Sequence, residues 1–115
     1  FSYNTISVYA ATKAAVSGMT RSFAREWAKD NIRVNCIEPA VVQTEFTKPL
    51  WSEEHRARWF AETTPVGRLA QPDELVGSVV FLATPASSYI TGQSIVIEGG
   101  ILAGGDWDSY AATNS

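Results

Sequence analysis

Tyr9 and Lys13 are separated by three residues in the stretch VYAATKAA, near the start of the chain. On a helix, side chains four apart meet on one face. A lysine ammonium beside a phenol favours the phenolate, which draws the tyrosine pKa down from its reference near 10. A general acid works best when its pKa lies near the operating pH. The pair therefore suits proton transfer to or from a carbonyl or alcohol oxygen. The spacing also arises by chance, and the bland alternative is a half-buried tyrosine packed along a lysine stem.

Such a pair needs a helix to hold it. From Val8 to about Asp30 there is no proline and one glycine, and Val8, Ala11, Ala15, Met19, Phe23 and Trp27 recur at helical spacing. Arg21, Arg25 and Lys29 fall on the other side. Ser7 is an expected N-cap and Asn31 an expected stop. The run IRVNCI (32–37) reads as a strand that ends before Pro39. Residues 39–51 read as loop. Ser52 is an expected cap for a short helix with Glu53 and Glu54 in its first turn. Pro72 suits a first helical position ahead of an apolar helix that runs through 75–83 to Pro85. SIVIEGG (94–100) reads as a second strand closed by glycines, and 103–115 as a flexible tail. Helices between strands predict an α/β layer with parallel strands and right-handed crossovers. Two strands make a poor sheet, and the first residue is Phe1 with helical signals close behind. The expectation is a piece of something longer, with at least one strand missing before the first helix.

A chain of 115 residues is one domain at most, and 45% apolar residues with 18% charged argue for a globular class. A net charge of −3 disfavours nucleic acid and anionic membranes as partners. No stretch is long and apolar enough to span a bilayer. A single cysteine, Cys36, inside an apolar run reads as a small buried hydrophobe, and its solitude suggests a reducing, cytoplasmic setting. His55 reads as a solvated surface residue, with a substrate contact as the alternative. No residue cluster has the spacing of metal ligands.

Three blocks carry a resemblance. VYAATKAA, DNIRVNCIEPAVVQTEF and PVGRLAQPDELVGSVVFLATPASSYITGQSIVIEGG follow in the order and spacing of the short-chain dehydrogenase/reductase family. EWAKDNIRVN looks most like its tropinone-reductase-like branch. The resemblance covers nearly all of 8–100 and implies the C-terminal half (1–102) of a Rossmann-type doubly wound parallel sheet that binds NAD(P)(H), with NADP(H) favoured over NAD(H). It implies that Tyr9 is the general acid/base and that Lys13 tunes it and holds the nicotinamide ribose. Pro39, Ala40, Val42 and Thr44 would form the cofactor segment, with the Val42 backbone at the carboxamide. Phe46, Trp51, Trp59 and Phe60 fall in the variable substrate lid, where they either close an apolar pocket or pack the lid onto the body. The implied substrate is a small ketone or secondary alcohol, and the implied full-length state a homo-oligomer built on the final helix and strand.

The departures from the family pattern are Ala40 where glycine is usual, Glu38 before Pro39, and Glu98 for aspartate. The family's serine lies further before the tyrosine than the eight residues present here. The glycine-rich pyrophosphate turn and the residues that select NAD or NADP have no counterpart either, and GGILAGG (99–105) does not lie between a strand and a helix. The expectation is that the chain alone is inactive. The competing expectation is a non-catalytic module that joins full-length relatives through the first helix and the apolar 75–83 segment.

Overall fold

The computed structural model describes residues 6–104. The irregular start and most of the expected tail, 1–5 and 105–115, lie outside the described residues. Helix α1, Ser7–Trp27, runs into a 3₁₀ turn, Ala28–Asp30, and then strand β1, Cys36–Pro39. Two helices follow, α2 at Lys48–Trp51 and α3 at Glu54–Thr63. A 3₁₀ turn, Pro72–Leu75, leads into α4, Val76–Ala83, and a last 3₁₀ turn, Pro85–Ser87, precedes strand β2, Ser94–Ile97. β1 and β2 pair in parallel with Cys36 opposite Ser94 and Pro39 opposite Ile97. The α/β layer and its parallel sheet are as the sequence predicts.

α1 ends where its chemistry says it must. Asn31 adopts a left-handed conformation at φ 61°. Its N–H reaches Ala28 O at 3.0 Å and the next N–H, of Ile32, reaches Trp27 O at 3.2 Å. That is the double bond pattern that satisfies the orphan carbonyls of a helix end. The start differs from expectation. Ala10 N–H bonds to Ile6 O at 2.8 Å, so the helical turn opens one residue early, Ile6 takes the cap position, and Ser7 caps nothing. Ser52 likewise is not the cap of α3. Its N–H closes α2 on Lys48 O at 2.9 Å, and Glu53 with extended backbone precedes α3. α2 itself falls inside the expected loop, with Pro49 in its first turn.

β1 starts four residues later than the apolar run suggests. Over 33–35 side chains replace part of the ladder. Val34 N–H donates to Thr91 Oγ1 at 3.1 Å, and Asn35 Oδ1 accepts from Gln93 N–H at 3.1 Å. The regular ladder opens with Cys36 N–H on Gln93 O and closes with Ala40 N–H on Ile97 O, both 3.0 Å. Donors to β2 are thus even-numbered, so Pro39, which lacks an N–H, turns its nitrogen away from β2 and fits the strand.

The face of α1 that meets the sheet is its small-residue face. Ser17 Oγ lies 3.1 Å from Ser94 Oγ, and Thr20 and Ala24 are buried. Gly92, at φ 75°, comes so near that a Cβ there would stand 3.3 Å from Ala24 Cβ. The predicted apolar stripe is largely exposed, from Val8 at 77% to Trp27 at 39%. Trp27 instead stacks on Phe23 at 4.5 Å with near-parallel rings. At the far end of β2, Gly99 at φ 65° presses against the end of α3. A Cβ there would meet Thr64 Cγ2 at 2.7 Å, and Val66 N–H donates to Gly99 O at 3.1 Å. Cys36 is half-buried, and its Sγ lies 3.1 Å from Ser94 Oγ.

One side chain ties the end of α4 to the entry of β1. Arg33 Nη1 donates to Ser87 O, Ser87 Oγ and Ile90 O at 2.8, 2.9 and 3.2 Å, and Nη2 to Leu82 O and Thr84 O at 3.1 and 3.3 Å. Ser87 is 1% exposed, so water cannot substitute there. Arg33→Met is expected to lower stability by about 3 kcal/mol, because charged hydrogen bonds are lost and buried carbonyls are left bare. Urea unfolding should show a lower midpoint at an unchanged slope, and Arg33→Lys, a point charge without the fork, should recover less than half.

Candidate active site

Tyr9 and Lys13 occupy the first two turns of α1 and meet as their spacing predicts. Lys13 Nζ lies over the Tyr9 ring, 5.2 Å from its centroid. This is a cation–π arrangement on a 55% exposed tyrosine, worth about 0.5–1 kcal/mol at such a site. Thr12 Oγ1 donates to Tyr9 O at 2.7 Å.

The expected cofactor segment leaves the carboxyl end of β1, the end of a parallel sheet where α/β folds bind ligands. Pro39 is the last strand residue, and Ala40 donates to β2 as described. Ala40 does not have a positive φ, so its methyl group imposes no backbone strain. Val42 bridges to Ala70 in parallel, and Gln43 N–H donates to Ala70 O at 2.8 Å. Thr44 N–H donates to Thr47 Oγ1 at 3.1 Å. Among the described residues no hydrogen bond links this segment to Tyr9 or Lys13.

The four expected lid residues part company. Phe46 is 90% exposed and Trp59 is exposed, whereas Phe60 is buried with its ring edge-on to Trp59 at 5.0 Å. Trp51 is held by polar bonds, with Nε1 donating to Thr44 O at 3.2 Å and Thr47 Oγ1 at 3.3 Å. It alone of the four lines a cleft of about 360 Å³, together with Gln43, Ala57, Arg68 and Gln71. His55 stands at the surface, 3.6 Å from Glu53.

Several positioning groups escaped the sequence reading. Gln71 Nε2 donates to Gln43 Oε1 at 2.8 Å. Gln71 is itself fixed by a capping box, its N–H on Glu74 Oε1 at 2.9 Å. Arg68 grips Glu74 with both Nη atoms, at 2.6 and 3.0 Å. Glu74 three residues after the cap is the half of the box that the sequence signals; the Gln71 cap and its reach to Gln43 come from the structure. Thr44 and Thr47 form a hydroxyl turn, for which their spacing of three is the signal. Glu98, the departure from aspartate, reaches the N–H groups of Gly100 and Leu102 at 3.2 and 2.7 Å and so closes β2.

With this geometry in view, the comparisons with known proteins agree. A parallel β–α layer of the Rossmann kind is the class that the fold defines. In a gluconate 5-dehydrogenase from Burkholderia cenocepacia, solved in complex with NADP and tartrate, the same fold aligns at a TM-score of 0.88 and 35% identity over 91% of this chain and 41% of that one. A family model described as enoyl-(acyl carrier protein) reductase matches residues 2–102. A tropinone reductase homologue of Arabidopsis thaliana is 43% identical over 99 residues, 86% of this chain and 38% of that protein. The 2-dehydro-3-deoxy-D-gluconate 5-dehydrogenase of Bacillus subtilis is 42% identical over 97 residues, 84% of this chain and 38% of that one. The chain belongs to the short-chain dehydrogenase/reductase family, a family of NAD(P)-dependent oxidoreductases, and is tropinone-reductase-like within it. It spans well under half the length of these relatives.

The Arg68–Glu74 clasp makes a pH prediction. The Arg68 hydrogen bond, and then the Gln71 N–H, hold the Glu74 carboxyl at about 2, below its ordinary 4.5. Its contribution is therefore complete above pH 4.5 and fades as the pH falls toward 2. Glu74→Gln should melt lower than the wild type at neutral pH, and thermal scans at descending pH should show the gap close between 4.5 and 2.

Proposed function

We propose that the chain is the C-terminal half of an NAD(P)(H)-dependent oxidoreductase that interconverts a small ketone and a secondary alcohol. The observation that carries this is the Tyr9–Lys13 pair on the opening turns of α1, with the ammonium 5.2 Å from the ring centroid. The donor set at the end of β1 fits a nicotinamide carboxamide: among the described residues the Val42 N–H donates to no protein acceptor, while the next two N–H groups, of Gln43 and Thr44, are used. Pro39 and Ala40 carry the backbone into that segment, and Thr44 adds a hydroxyl. Dehydrogenases of the same fold were solved with NADP and with NADH, which supports NADP(H) or NAD(H) as the cofactor, and NADP(H) is the form taken here.

When bound, the cofactor supplies or accepts the hydride at the carbonyl carbon. Tyr9 gives its phenolic proton to the carbonyl oxygen in reduction and takes it back in oxidation. Lys13 stabilises the phenolate between these states and holds the ribose. Trp51 lines the cleft that would take the substrate, Phe46 and Trp59 are exposed, and Phe60 is buried in α3. The working form is a cytoplasmic homo-oligomer, a reading supported by the lone cysteine and the exposed apolar residues of α1 and α4. Among the described residues no helix is long and apolar enough to cross a membrane.

The 115-residue chain alone is expected to show no dinucleotide-dependent turnover, because the family's serine and pyrophosphate turn have no counterpart in it. In the complete enzyme, Tyr9→Phe should cost about 10²–10⁴-fold in kcat/KM, the usual worth of general acid–base catalysis. Activity of Tyr9→Phe within a few-fold of wild type would overturn the assignment. A second reading, a non-catalytic module that binds full-length relatives, is favoured by the same exposed residues, Val8 at 77% and Val76 at 55% among them. Co-purification of the 115-residue chain with a full-length reductase would support it, and a monomer with no partner would count against it.

A further inference from the structure

Thr47 has a single hydroxyl proton and two lone pairs. The structure commits all three. The proton goes to Val42 O. The lone pairs receive the Thr44 N–H at 3.1 Å and the Trp51 indole N–H at 3.3 Å. The same indole N–H is shared with Thr44 O at 3.2 Å. One half-buried hydroxyl therefore touches the carbonyl of Val42 and the amide of Thr44, the two residues that bracket Gln43. On the opposite side Gln43 is held by Ala70 O and by the Gln71 side chain, at 2.8 Å each. The peptide planes between Val42 and Thr44 are thus fixed from both flanks.

This leaves two donors with protons to spare. In an extended segment alternate N–H groups point to opposite sides. Gln43 N–H faces Ala70, so the Val42 and Thr44 N–H groups face the other way. That of Thr44 is taken by Thr47, and that of Val42 is not taken by any described residue. The Thr44 hydroxyl lies 3.2 Å from a Thr47 oxygen already saturated, so its proton is also transferable to an incoming acceptor.

We propose that Thr47, braced by the Trp51 indole, is the positioning residue that presents the Val42 N–H and the Thr44 hydroxyl to the nicotinamide carboxamide. The inference rests on the dinucleotide reading above. It gives Trp51 a polar task beyond the two that the sequence suggested, closing an apolar pocket or packing the lid onto the body.

The test is steady-state kinetics of the complete enzyme with NADPH. Thr47→Val keeps the shape of the side chain but removes the donor to Val42 O and the acceptor for two N–H groups. It should raise the NADPH KM about 10-fold, the worth of one lost positioning hydrogen bond, while kcat and the carbonyl KM stay within about twofold. Thr47→Ser should restore the wild-type KM. Trp51→Phe keeps an aromatic ring but removes the indole donor together with the second ring, and should raise the NADPH KM about threefold; it serves also if Thr47→Val does not fold. A role in folding alone predicts lower melting temperatures with an unchanged NADPH KM, and that result in both variants would sink the proposal. A wild-type enzyme that turns over no dinucleotide would instead overturn the functional reading, and this inference with it.

Discussion

Everything in the described chain hangs on one parallel pairing of two four-residue strands, far apart in sequence. Cys36 meets Ser94 and Pro39 meets Ile97, so the chain between them must leave the sheet and return to run alongside. Parallel pairs need such crossovers and gain less per residue than hairpins. The pairing is accordingly reinforced at its entry, where Arg33 gathers the carbonyls of Leu82, Thr84, Ser87 and Ile90, and at its exit, where Glu98 takes two N–H groups. The segment with the donors proposed to meet the cofactor begins one residue beyond β1, so its direction is inherited from this short ladder.

Much of this was legible because single residues dictate it. The proline-free run from Val8 made α1 unmistakable, and Asn31 marked its end because asparagine tolerates a left-handed backbone. The Tyr9–Lys13 spacing forced proximity once the helix was granted. What could not be read depends on partners distant in sequence. Ser7 and Ser52 look like caps, but a hydroxyl caps only where the backbone turns, and each turn falls one residue away. Ile32 and Val34 look like strand, yet over 33–35 the side chains of Thr91 and Asn35 supply two of the bonds beside the one backbone bond from Gly92 N–H to Val34 O. Trp51 was read by its apolar area, while its placement follows from one N–H.

The packing of α1 carries a similar lesson. A helix can approach a sheet closely only through small side chains, and Ser17, Thr20, Ala24 and Gly92 provide that approach. The larger stripe points elsewhere. Val79, Val80 and Phe81 of α4 are likewise exposed, at 50%, 53% and 40%. The apolar pattern therefore located α1 and α4 without telling which of their faces meets the two strands, and it missed α2. The polar complement is better satisfied: among the described residues every buried side-chain polar atom has a hydrogen-bond partner.

The contact of Gly99 with Thr64 has a mechanical consequence. The excursion that bears α2 and α3 is fastened at one root by Val42 and Gln43 on Ala70, and at the other by Val66 on Gly99. Between these roots the helices form an arm with a clamped base. Both fastenings lie outside the stretch beyond Thr44 and before Thr64, so a change of shape at the tip is mechanically separated from the direction of the N–H groups at the base. A side chain at Gly99 would wedge the second clamp apart, and the cost would appear as lost aim at a distance from the wedge.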